Sequence, residues 1–129
     1  MTVIAGSAVA QTKKVIKTEN ARPSSAWTGD QLYKEFCAAC HGADGKGNGP
    51  ATSALKNNPT DLTQITRHNS SKYPDAKMHD IILGTQAIAA HGNNEMPVWG
   101  DVFKSISANQ TFGEMRVDML VKYLQSIQR

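Results

Sequence analysis

The chain has few of the residues that build a large apolar core. Only 6% of its 129 residues are aromatic, and its mean hydropathy is -0.42. No apolar run is long enough to span a bilayer, so no transmembrane segment is predicted. The length suits a single domain. With so little apolar volume, a domain of this size needs additional support for its core.

A strong charge of either sign is also missing. The chain has 14 Lys and Arg residues and 11 Asp and Glu residues, which gives a formal net charge of +3. No basic cluster with interleaved aromatic residues accompanies this small excess. Nucleic acid is therefore excluded as an expected partner.

Cysteine is scarce, since Cys37 and Cys40 are the only two. Two thiols in a C-x-x-C spacing can form a disulfide, act as a redox dithiol or supply half of a zinc site. A zinc site would need further ligands, and a thioredoxin-like dithiol would need alternating strands and helices around it. His41 directly follows the second cysteine, and Cys-Ala-Ala-Cys-His is the attachment pattern of a c-type haem.

The spacing of this motif has a chemical reason. Thiols one helical turn apart can each form a thioether with a haem vinyl group, and the adjacent imidazole is then held under the iron. We therefore predict one haem c, covalently bound through Cys37 and Cys40, with His41 as the proximal ligand through Nε2. The porphyrin would also supply much of the apolar volume that the chain lacks.

The N-terminal part of the chain differs in composition from the rest. Residues 1–10 end in Ala-Val-Ala before Gln11, which resembles the remnant of a secretory signal without its basic region. Residues 11–26 are polar and aperiodic, as in a flexible lead-in, and the folded domain is predicted over residues 27–129. Because this haem motif belongs to exported proteins of oxidising compartments, we expect a periplasmic or otherwise exported bacterial protein.

Hydrophobic periodicity predicts an all-α fold. A capping box of Thr28 and Gln31 is expected to begin a helix that runs into the cysteine motif. Shorter helices are expected over residues 50–56, 75–83 and 101–106, with loops between them.

The longest periodic segment lies at the C-terminus. A second capping box, Thr111 with Glu114, is expected to begin this helix. Its apolar residues share one face and should be buried: Phe112, Met115, Met119, Leu120, Tyr123, Leu124 and Ile127.

Over residues 27–129 the sequence resembles a class I, mono-haem cytochrome c of the bacterial type. Besides the cysteine motif, the resemblance rests on Gly29 and Tyr33, which precede Cys37 by eight and four residues, and on the apolar face of the C-terminal helix. It implies a small all-α cytochrome c fold with crossing N- and C-terminal helices, and with shorter helices and loops wrapped around one covalent haem. A glycine at the crossing allows the two helix axes to approach closely.

The resemblance also implies the second axial ligand. Met96 is followed by Pro97 in a predicted loop, as in the Met-Pro element of the family, and is predicted to bind the iron opposite His41. A loop methionine has no helical face to join, which weakens the alternative of a core role. His91 is the main competing ligand. His68, in a polar loop, and His79, on a predicted helix, are expected to face solvent or to be satisfied by other partners.

Two further residues are assigned to the cofactor site, Pro50 by the resemblance and Trp99 by the chemistry of its indole N–H. In the family, the carbonyl of a proline that follows a glycine accepts the free N–H of the proximal histidine, and Gly49-Pro50 matches this pattern. Trp99 is predicted either to hydrogen-bond a haem propionate or to pack in the pocket. For Lys46 and Asn48, near the glycine-rich loop, the alternatives are a position beside the exposed haem edge and a role as solvated loop residues, and the second is favoured.

These assignments predict one-electron transfer. With both axial positions filled by protein, the iron has no open position for a substrate, so we expect an electron carrier without catalytic residues. Its partners would be redox proteins, a donor dehydrogenase or reductase and an acceptor oxidase or reductase, and we expect a monomer. Residues 42–50 and 96–99 also resemble the cytochrome subunits of larger bacterial redox complexes. The alternative hypothesis, from a different functional class, is an enzyme with an open haem site, such as a peroxidase.

Overall fold

The computed structural model describes residues 25–85 and 96–129. Regular structure in those two ranges is helical throughout, which confirms the predicted all-α class. In chain order the α-helices are α1 (Gly29–Phe36), α2 (Ala38–His41), α3 (Ile65–His68), α4 (Asp75–Leu83), α5 (Trp99–Ser105) and α6 (Gln110–Ser126). Two 3-10 helices, Pro50–Ala54 and Leu62–Gln64, lie between α2 and α3. The predictions for residues 1–24 and 86–95, including His91, lie outside the described residues.

The first and last helices cross at Gly29. A Cβ atom at Gly29 would collide with the backbone carbonyl of Met119 and would lie 2.7 Å from the Cβ of Tyr123. Next to this crossing, the rings of Tyr33 and Tyr123 pack with their centroids 5.2 Å apart. The close approach of α1 and α6 confirms the predicted helix crossing and explains why a residue without a side chain stands there.

Helix α6 packs against α1, α4 and α5 and contributes the largest part of the core. Its buried apolar side chains are Val117, Leu120, Val121 and Leu124. Met119 packs against this core as predicted, but Met115 is 41% exposed. The prediction of a buried Met115 was wrong because, in the described part of the chain, α1, α4 and α5 pack against α6 on the side of its valines and leucines, and Met115 lies outside that arc.

The start of α1 is where the sequence predicts it, but the capping box does not form. Thr28 is the N-cap residue, yet its hydroxyl donates to the Asp30 carboxylate at 2.7 Å. The side-chain oxygen of Gln31 accepts from the Trp27 N–H at 3.2 Å. Short polar side chains at this helix entry therefore bond locally instead of capping the first turn.

Helix α6 begins earlier than predicted. Its N-cap residue is Asn109, whose side-chain oxygen accepts from the Phe112 N–H at 3.0 Å. The predicted capping box of Thr111 and Glu114 was therefore wrong. Asparagine is among the best N-cap residues and ranks ahead of threonine, which favours the earlier start.

The shorter helices agree with the prediction in place and differ in their ends or type. The helix predicted over residues 75–83 is α4. The one predicted over residues 101–106 begins earlier, at Trp99. The one predicted over residues 50–56 is a 3-10 helix that ends at Ala54.

We expect Gly29→Ala to lower the free energy of unfolding by about 1–3 kcal/mol, the usual range for overpacked contacts. Denaturant unfolding measures the change. Lys34→Ala is the control on the same helix, because it removes only an exposed ion pair with Asp30 at 3.3 Å. This control should change stability by no more than about 0.5 kcal/mol. Equal losses in the two variants would contradict a close approach at Gly29.

Candidate functional site

The cysteine motif forms one helical turn at the junction of α1 and α2. The Cys37 carbonyl accepts hydrogen bonds from the N–H groups of Cys40, at 3.2 Å, and His41, at 2.9 Å. Both cysteines are free thiols and half-buried, and burial raises the pKa of Cys37 to about 12. The structure therefore holds the two sulfurs and the imidazole on one short, continuous piece of backbone.

The environment of His41 selects one tautomer of its ring. Nδ1 lies 3.2 Å from the backbone carbonyl oxygen of Thr60. Because a carbonyl only accepts, this hydrogen bond requires the proton on Nδ1 and leaves the lone pair of Nε2 free. Burial lowers the pKa of His41, while the hydrogen bond to Thr60 acts in the opposite direction. A neutral imidazole with a free Nε2 is the form that binds iron.

The backbone directly after His41 is anchored to α1. The hydroxyl of Tyr33 donates to the Gly42 carbonyl at 2.6 Å, and both residues are buried. Gly42 has a φ of 81°, in the region that favours glycine, so the chain can turn sharply as it leaves the motif. Burial also raises the pKa of Tyr33, which keeps its hydroxyl protonated as a donor.

Aromatic side chains line the neighbouring part of the core. Phe36, directly before the cysteine motif, packs edge-on against Trp99 with ring centroids 5.7 Å apart and against Phe103 at 5.2 Å. Cys37 and Met96 are half-buried and pack against the same core. The fold thus brings Met96 and Trp99, which are remote in sequence from the motif, to the core on which the motif lies.

These residues fit a covalently attached haem. The free thiols of Cys37 and Cys40 lie on one turn, and His41 presents an unprotonated Nε2. The surrounding aromatic side chains provide an apolar setting for a porphyrin.

A family model described as cytochrome c matches residues 26–128. The chain belongs to the cytochrome c family. Comparisons with curated proteins and with solved structures found no match. Membership of this family supports electron transfer by a covalently bound haem c and implies redox partner proteins. In the described part of the cytochrome, no helix is both long and apolar enough to cross a membrane.

The prediction that the Pro50 carbonyl accepts the His41 hydrogen bond was wrong, because the acceptor is Thr60. Pro50 is exposed and begins a 3-10 helix. The glycine-rich loop turns back onto the motif, with the Gly47 N–H donating to the His41 carbonyl at 2.7 Å. The following segment lies across this loop, since the Leu62 N–H donates to a loop carbonyl at 2.7 Å. This crossing brings the Thr60 carbonyl to the histidine.

Thr60 escaped the sequence prediction because its contribution is a backbone carbonyl, and every residue has one. It lies 19 positions after His41.

The remaining predictions for the cytochrome's polar residues agree with the structure: Lys46, Asn48 and His68 are exposed. His79 pairs with Asp118 of α6, with 3.3 Å between Nε2 and a carboxylate oxygen.

We expect Tyr33→Phe to lower the free energy of unfolding of the cytochrome by about 0.5–1.5 kcal/mol, because the buried Gly42 carbonyl loses one of its two donors and keeps the Gly45 N–H. Denaturant unfolding measures the loss. Tyr123→Phe is the matched control, since its ring packs against Tyr33 but its hydroxyl has no hydrogen bond among the described residues. If Tyr33→Phe were no more costly than Tyr123→Phe, Tyr33 would act through its ring alone.

Proposed function

We propose that this cytochrome is an electron carrier in which haem c is attached to Cys37 and Cys40 and ligated by His41 and Met96. When bound, haem c supplies an iron that exchanges one electron between its ferric and ferrous forms. The observation that carries the proposal is the tautomer of His41, which leaves the lone pair of Nε2 free. This histidine directly follows Cys40, the second of the two free thiols. The Thr60 carbonyl orients the imidazole and raises its basicity.

The location of Met96 supports its role as the second ligand. It lies in a bend before α5, half-buried and packed against the core. The other methionines of the described ranges lie on helices, where Met78 is buried, Met119 is packed and Met115 is exposed. Packing or solvent exposure accounts for those three positions. Met96 has no helical face to complete, and its thioether is a soft ligand suited to haem iron.

Protein ligands on both sides of the iron leave electron exchange as the remaining chemistry. Donor and acceptor proteins would dock in turn over a small area, as is usual for redox encounters. We further propose that the protein is exported to the periplasm, because attachment of haem to such a motif takes place in that compartment. It would act there as a monomeric shuttle or as the cytochrome subunit of a larger redox complex.

Absorption spectra of the oxidised and reduced protein, with a pyridine haemochrome assay, test this proposal directly. We expect one c-type haem per chain and a ferrous form that does not bind carbon monoxide. A colourless, stably folded protein would overturn the proposal of a haem carrier. Immediate binding of carbon monoxide would show an open site and favour the haem-enzyme alternative.

We expect Met96→Ala to abolish the weak sulfur-to-iron charge-transfer band of the ferric protein and to lower its reduction potential. The physical reason is that a thioether favours ferrous iron, and its loss removes that preference. Optical spectra and redox titration measure the two effects. Met115→Ala is the matched control, because Met115 is exposed on α6, and it should leave band and potential unchanged. A band that survives Met96→Ala would assign the ligand elsewhere, with His91 the next candidate.

A further inference from the structure

Gln128, two residues after the end of α6, connects two parts of the molecule with one side chain. Its Oε1 accepts from the Thr66 N–H at 2.8 Å. Its Nε2 donates to the carbonyls of Leu62 and Leu124, both at 2.7 Å. The amide therefore uses both donor hydrogens and its acceptor at once. It ties the end of α6 to the segment of residues 62–66.

The segment tied by Gln128 is the one that supplies the acceptor for His41. Leu62 follows Thr60 by two residues, and its backbone is held on both sides. Its N–H donates to the Gly45 carbonyl at 2.7 Å, and its carbonyl accepts from Gln128. Displacement of Leu62 would therefore move the Thr60 carbonyl relative to the imidazole.

Other hydrogen bonds stiffen the same segment. The Asp61 carboxylate accepts from the Thr63 N–H at 2.8 Å and from its hydroxyl at 2.6 Å. The backbone N–H of Arg129 donates to the Thr63 carbonyl at 2.9 Å. These hydrogen bonds connect residues 61, 63 and 129, and the Gln128 side chain attaches the segment of residues 62–66 to α6.

Helix α6 is a firm support for such an attachment. It packs against α1, α4 and α5 and crosses α1 at Gly29. Leu124 lies in its last turn, where carbonyl groups lack partners within the helix, and Gln128 satisfies one of them. The same side chain thus completes the end of α6 and fixes the neighbouring segment to it.

We propose that Gln128 is a positioning residue for the axial ligand His41, which it controls through the Thr60 carbonyl, and that it thereby helps to set the reduction potential. This inference rests on the proposed ligation of haem iron by His41. A carbonyl held at Nδ1–H increases the electron donation of the imidazole and favours ferric iron. Loss of the Gln128 hydrogen bonds holds the Thr60 carbonyl less firmly at Nδ1–H. The imidazole then donates less electron density to the iron, so the reduction potential rises.

The test compares Gln128→Leu with Gln125→Leu in the haem-loaded protein. Gln125 is exposed on the last turn of α6 and makes no side-chain hydrogen bond among the described residues, so it is a neutral, matched control. We expect Gln128→Leu to shift the ferric–ferrous equilibrium against a reference dye at least twofold toward ferrous. That shift is about 18 mV, at 59 mV per tenfold change. The control variant, Gln125→Leu, should shift the equilibrium by less than twofold.

A second measurement separates positioning from general destabilisation. Exchange of the His41 Nδ1 proton with solvent, followed by NMR in the ferrous protein, should be faster in Gln128→Leu than in the control. If Gln128→Leu does not fold, Gln128→Glu and Gln125→Glu replace the pair. Gln128→Glu retains the acceptor for Thr66 and loses both donors. For these two glutamate variants only the rate of proton exchange at His41 Nδ1 is compared, because the added charge itself shifts the reduction potential.

The outcomes distinguish the two proposals. A variant at Gln128 with a lower melting temperature but unchanged potential and unchanged proton exchange would show a purely structural role and overturn the positioning inference. Faster exchange together with a raised potential would support it. A wild-type protein without covalent haem would overturn the proposed function, and this inference with it.

Discussion

The hydrogen bond between His41 Nδ1 and the Thr60 carbonyl is the interaction on which the site depends. It decides which imidazole nitrogen carries a proton, and therefore which one is available to a metal. Two distant segments must meet to form it. The glycine-rich loop turns back onto the motif, and the next segment crosses that loop. These two backbone contacts in the irregular structure between α2 and α3 place the Thr60 carbonyl beside the imidazole.

Helix α6 provides the frame that keeps this arrangement in place. It contacts α1 through Gly29, and its far end holds the segment that follows Thr60. It also carries Arg116, which is only 2% exposed and whose guanidinium lies 5.1 Å from the ring centroid of Trp27. A cation over an aromatic face offsets part of the cost of burying the charge. Helix α6 thus contributes the largest part of the core and also holds the segment that positions His41.

The sequence predicts best the features whose cause is local. The spacing of Cys37, Cys40 and His41 fits one turn of helix, and the structure has that turn. The capping boxes were predicted less well, because polar side chains near a helix start have several partners within reach. At α1 the Thr28 hydroxyl donates to Asp30 instead of capping the first turn. At α6 the competitor is Asn109, a stronger cap than the threonine that follows it. Hydrophobic periodicity predicted helix α6, but not which part of its surface the neighbouring helices cover. The exposure of Met115 was therefore not predicted.

By itself, the sequence determined the all-α class and the helical turn of the cysteine motif. Both depend on residue type and short-range spacing, which can be read directly from the chain. The crossing of the first and last helices at Gly29 was implied by the resemblance to the cytochrome c family, and the structure confirms it. Only the tertiary structure decided that Thr60 accepts from His41 and that Gln128 holds the segment beside it. Both depend on contacts between segments 19 and more than 60 residues apart, made largely by backbone groups that every residue possesses.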